Sequence, residues 1–190
     1  MSMLFYGIDP GLSGGIAILD AAGAIVQAVQ MPATEGDVLY VLRHELHDGS
    51  IKTSTPDEGL IVRAWVECPA RAVLERVSAS PQMGIVSACT FCRGYGALRM
   101  ALAAVEIPFD EVSPIRWQNA MGCRSGGDKN VTKRRAMQLF PKWTITHAIA
   151  DALLLAEYCR RSELGLWGEA PKKKRAKVSR RPAPLLEVDA

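Results

Sequence analysis

The chain has 190 residues, 48% hydrophobic and 23% charged, which suits one core of ordinary α/β size and excludes a multidomain machine. Its 16 Gly and 11 Pro are close to average usage, so collagenous, low-complexity and wholly disordered classes are excluded too. The net charge of +3 is uneven: residues 171–190 hold seven Lys/Arg against Glu187 and Asp189, leaving residues 1–170 with 16 basic and 18 acidic side chains.

Three short apolar or alternating runs open the chain, Leu4 to Asp9, Gly15 to Leu19 and Ile25 to Met31, separated by Pro10-Gly11, Gly14 and Ala22-Gly23. That pattern predicts a meander of three antiparallel strands. Asp37 to Leu46 carries apolar residues at helical spacing, and residues 48–59 read as a polar loop. Ile61 to Val66 is rich in strand formers and runs into Glu67-Cys68-Pro69, where proline ends ladder pairing and would leave Glu67 at a sheet rim. After an irregular stretch, a long helix is expected over Ile85 to Val105, then a short strand over Phe109 to Val112. A short helix ending near Met121, a Gly-rich loop over residues 122–128, a helix Val131 to Phe140 stopped by Pro141, and a last helix from about Ile145 to Arg161 complete the order. The economical architecture is an α/β fold with a mixed five-stranded sheet and helices on both faces. The folded body is expected over residues 1–164, with residues 165–190 a basic, disordered tail.

The opening MSMLFYGID lacks the basic-then-apolar pattern of an export signal, and five cysteines suit a reducing setting, so a cytoplasmic location is expected. No apolar run is long enough to span a bilayer. Cys89 and Cys92 have half of a zinc-ribbon spacing but no second pair, and read as small buried helix residues.

Acidic residues at the ends of apolar segments carry the chemistry. Asp9 closes the first strand within GIDPGLSGG, where glycines let a backbone approach an anion or a metal, although a turn carboxylate satisfied by nearby amides fits as well. Glu67 is either a second rim carboxylate, on a strand lying beside the first, or a surface residue before a turn. Asp151 lies among Ala148 to Leu155 with His147 four positions earlier on the same helix face, so it either caps locally or faces a cation. Three carboxylates and one histidine suit Mg²⁺ or Mn²⁺, and two such ions about 4 Å apart could drive phosphodiester hydrolysis without a Ser or Cys nucleophile. His147 could ligate an ion or take a proton from water.

The order GIDPGLSGGIAILD, VECP, SPQMG, FCRGYG, VSPIRWQNAMG, DKNVTKRRAMQLFP and HAIADALLLAEYCRR resembles the RuvC-like Holliday junction resolvases of the ribonuclease H superfamily, their phage and bacterial branch above all, over about Leu4 to Arg161. The resemblance implies that Asp9, Glu67 and Asp151 are metal ligands completed by His147. It also implies that Lys129 lies near the scissile phosphate, and that a homodimer cuts opposed strands of a four-way junction. Phosphate contacts are expected from Arg93, Arg116, Lys133, Arg134 and Arg135, and from Lys172, Lys173, Lys174 and Arg175 in the tail. Phe91 and Trp117 either stack on bases or pack in the core. Two rivals remain: a non-catalytic protein of the same fold that binds branched DNA, and a sugar-kinase or actin-like ATPase, disfavoured because the chain shows no duplicated Asp-Gly strand unit. No nucleotide cofactor is expected.

Overall fold

A computed structural model of the chain describes residues 3–44, 69–78 and 82–167. The elements are β1 (Leu4–Asp9), β2 (Gly15–Leu19), β3 (Ile25–Gln30), α1 (Glu35–His44), β4 (Ala70–Glu75), α2 (Ile85–Ala104), β5 (Phe109–Val112), α3 (Pro114–Met121), α4 (Lys129–Leu139) and α5 (His147–Glu163). One five-stranded sheet has the order β3-β2-β1-β4-β5. β1, β2 and β3 pair antiparallel, as the meander pattern predicts, while β4 joins β1 in parallel and β5 joins β4 in parallel. Helices cover both faces of the sheet, as expected.

The alternation of side chains along the strands divides the core in two. Leu4, Tyr6 and Ile8 of β1 with Ala72 and Leu74 of β4 pack against α1 and α2 through Val38, Val41, Leu42, Leu98 and Leu102. Phe5 of β1 and Val73 of β4 face the other way, onto Trp117, Ala136 and the buried stripe of α5 from Ile149 to Cys159. Asp9 and Glu75 continue that second set, so both carboxylates belong to the α5 side.

One correction concerns the fourth strand. Residues 69–78 fall in the stretch expected to be irregular, yet 70–75 form β4, and both edges of β1 are already occupied by β2 and β4. β4 thus holds the place beside β1 expected for a strand over 61–66. Residues 61–68, Glu67 among them, lie outside the described residues, as do residues 168–190 with Lys172, Lys173, Lys174 and Arg175. A second correction concerns Cys89 and Cys92, which are exposed on α2 rather than buried.

Glycine sets how closely α5 approaches the sheet. A Cβ on Gly7 would land on the main-chain nitrogen of Ala156 and the carbonyl oxygen of Ala152, and one on Gly15 would come within 2.9 Å of the Ala148 carbonyl oxygen. The helix lies directly on the strand backbones, so any side chain at Gly7 must push it away. Gly7→Ala is expected to destabilise the protein by about 3 kcal/mol, the upper end of ordinary overpacking, because the obstructing atoms are backbone. Chemical denaturation checks this, and an unchanged midpoint would contradict the packing of α5 on β1. Among the described residues no helix is long and apolar enough to cross a membrane.

Candidate active site

The parallel pairing of β1 and β4 brings Ile8 opposite Leu74. One residue further on, both strands end in carboxylates, Asp9 and Glu75, at the same margin of the sheet. Glycine clears the space around Asp9: a Cβ on Gly14 would lie 2.6 Å from the Asp9 carboxyl carbon. The Gly11 amide donates to Asp9 Oδ1 at 3.2 Å, fixing the carboxylate in the turn that Pro10 begins.

Glu75 is 8% exposed, and the Trp117 indole nitrogen donates to its Oε1 at 2.8 Å. The third carboxylate comes from the first turns of α5. Asp151 follows His147 by four residues, and its Oδ1 is buried with no hydrogen-bond partner. A bare carboxylate oxygen in such a place carries a desolvation cost that a cation would remove.

The electrostatics of the three acids report their mutual closeness. Burial pushes Asp9 up to about 6; the Gly11 amide opposes this, the Asp151 charge adds to it, and Lys129 opposes it. Burial pushes Glu75 up to about 7, against the Trp117 hydrogen bond and reinforced by the charges of Asp9 and Asp151. Asp151 is also raised by burial, with the Thr132 hydroxyl, Lys129 and His147 pulling the other way. Such a group of acids repels itself, and a positive ion is what would relieve it.

Among the described residues no three His, Cys, Asp or Glu side chains already stand as the ligands of one ion. The donors nonetheless fit a divalent cation in kind. They are carboxylate oxygens, the ligands that Mg²⁺ and Mn²⁺ prefer, and one of them is the bare Oδ1 of Asp151.

Basic side chains lie on the helices that cover this face of the sheet. Lys129 is exposed at the start of α4, with its Nζ 3.5 Å from the Ser13 hydroxyl in the β1–β2 turn, and its charge reaches Asp9 and Asp151. Asp128 caps α4 by accepting from the Asn130 amide at 2.9 Å, which sets Lys129 at the first helical position. His147 is exposed at the first position of α5. Arg134 is exposed on α4 and Arg116 on α3, while Lys133 is half-buried. Arg135 is tied down, donating to the Met121 carbonyl at 2.9 Å and to Gln138 at 3.2 Å. Arg93 stands apart, on α2 on the opposite side of the sheet, where it lines a cleft with Pro10 and Leu12.

Sequence reasoning missed Glu75. The available signal was its place directly after a short apolar run, Ala72 to Leu74, and before Arg76. Trp117 packs in the core, fully buried, but it also holds an acid.

No protein-family model matches the chain, and neither does any curated protein. Solved structures do. The chain is similar to Thermus thermophilus RuvC in complex with a Holliday junction substrate, at 16% identity and a TM-score of 0.58, over 86% of this chain and 96% of that one. A second structure of Thermus thermophilus RuvC matches at 16% identity and a TM-score of 0.53, over 87% and 97% of the two chains. The sheet order, the helices on both faces and these matches agree: the chain has the RuvC-like form of the ribonuclease H-like α/β fold.

Proposed function

We propose that the chain is a divalent-metal-dependent, structure-selective DNA endonuclease that resolves four-way junctions by paired, symmetric phosphodiester cuts. The observation that carries this reading is the convergence of Asp9, Glu75 and Asp151 at one sheet margin, each held above its ordinary pKa by burial, with an Asp151 oxygen left bare. Acids gathered at such a cost in folding stability are more economically explained by chemistry than by packing. Likeness to a protein seen with a Holliday junction supports branched DNA as the substrate. Two opposed cuts need two sites, which a homodimer supplies. The ATPase alternative is weakened by the single sheet, since among the described residues there is no second, related half to close over a nucleotide.

Asp9, Glu75 and Asp151 would hold the metal, which when bound supplies Lewis acidity toward the phosphate and a water of lowered pKa. The chain's own residues do the rest. Lys129, backed by the Ser13 hydroxyl, binds a phosphate oxygen beside the acids and offsets their repulsion of the DNA backbone. His147, exposed one helical turn before Asp151, accepts the proton of the attacking water on an imidazole nitrogen. Arg116, Lys133 and Arg134 hold flanking phosphates and fix the register of the junction without reading bases. Lys172, Lys173, Lys174 and Arg175 add charge that displaces counterions from more distant phosphates.

The test is incubation of the purified protein with end-labelled four-way, forked and linear duplexes in Mg²⁺. Paired nicks at symmetric positions are expected on the four-way junction alone, and none with chelator present. Tight junction binding with no cut under any divalent ion would instead establish the non-catalytic binding protein.

A further inference from the structure

Trp117 is fully buried, and among the described residues it is the largest side chain in that state. An indole N–H so placed must find an acceptor inside the protein, and the one it finds, 42 positions away in sequence, is Glu75 Oε1 at 2.8 Å. Both ends of the contact are fixed. Pro114 occupies the first turn of α3 and Gly122 ends it in the left-handed conformation at φ 66°, so the helix carrying the indole is defined at both termini. Glu75 is the last residue of β4, paired in register with Val112 of β5. The flexible part between them is the glutamate side chain, with three rotatable bonds. A single donor on Oε1 removes much of that freedom.

We propose that Trp117 is a positioning residue, whose indole N–H orients the Glu75 carboxylate toward Asp9 and Asp151 and thereby sets the affinity of the site for a divalent cation. The inference rests on the reading that these three acids hold the ion. It assigns to a core tryptophan a role in ion binding, of the kind that hydrogen-bonding partners of metal ligands commonly have.

The experiment is calorimetric titration of Mn²⁺ into the full-length, DNA-free protein, comparing wild type with Trp117→Phe. Ion affinity is expected to fall about 10- to 100-fold, the usual cost of losing a ligand's supporting partner. Because phenylalanine also leaves a void, replacement of Trp117 by 3-benzothienylalanine, which keeps the two-ring shape but has sulfur in place of N–H, is titrated in parallel. It is expected to show the same loss with little change in melting temperature. In the Glu75→Gln background, removal of the indole should cost nothing further, since the two act through one carboxylate. Wild-type Mn²⁺ affinity in the benzothienyl protein, with affinity lost in Glu75→Gln, would overturn the role of Trp117 and leave the ion site standing. Wild-type affinity in Glu75→Gln would overturn the site itself.

Discussion

Glu75→Gln is expected to abolish cleavage of a four-way junction, lowering the rate by more than about 100-fold, beyond the range seen for loss of a mere supporting partner. Its effects on binding and stability run in other directions. The amide keeps the size of the side chain and its carbonyl oxygen can still accept from the Trp117 indole, so the local packing survives. It removes one of three mutually repelling charges, so the melting temperature in chelator at neutral pH should rise. Junction affinity in chelator should hold or improve, because a negative charge facing the DNA backbone has gone while the basic side chains remain. Asp9→Asn should behave alike in cleavage. A nicking assay, a melting curve and a gel-shift titration on the same preparation check all three signs. Cleavage at the wild-type rate by either variant would remove the proposed site.

The ion-free protein should lose stability as pH rises from about 5 to 8, by roughly 1 to 3 kcal/mol for each of Asp9 and Glu75, and regain it on addition of Mg²⁺. The sign follows from the direction of the shifts. Asp9 and Glu75 go from ordinary values of 3.8 and 4.5 up to about 6 and about 7 on folding. Between those limits the folded protein retains protons that the unfolded chain releases, so the stabilisation is complete below the lower values and disappears as pH passes the higher ones. Glu157 works the other way: its burial is outweighed by Arg160 and Arg161, which bond it at 2.7 Å each and keep its pKa low. It is ionised throughout this window and adds no slope there. Mg²⁺ competes with the retained protons, so its stabilising effect should be small near pH 5 and large near pH 8. Melting temperatures measured on a grid of pH and Mg²⁺ concentration check this. A melting temperature indifferent to Mg²⁺ at pH 8 would mean that the acids hold no ion.

Much of this arrangement is written in local sequence. GIDPG announces a buried strand that stops on an acid, and Asp151 stands out because its neighbours from Ala148 to Leu155 are otherwise apolar. Glu75 is less legible. Ile61 to Val66 is richer in β-branched and aromatic residues than Arg71-Ala-Val-Leu-Glu-Arg76, whose Ala, Leu, Glu and Arg are good helix formers. Tertiary burial overrides that preference: Ala72, Val73, Leu74 and Glu75 are all buried, covered on both sides as a parallel strand must be. The sheet order places Glu75, because β4 takes the edge of β1 that faces away from β2 and its terminal acid stands next to Asp9. The bond from Trp117 to Glu75 has no local signature at all, since two residues far apart in the chain meet only when α3 folds over the end of β4.

β1 lies in the middle of the sheet, with two strands on either side of it. Thermal fraying of a sheet begins at its borders, here β3 and β5, and reaches the central strand last. Asp9 is thus anchored to the segment that surrenders its order only when the whole molecule does, so partial openings that admit a bulky substrate at the periphery can come and go without dismantling the place where it would be cut.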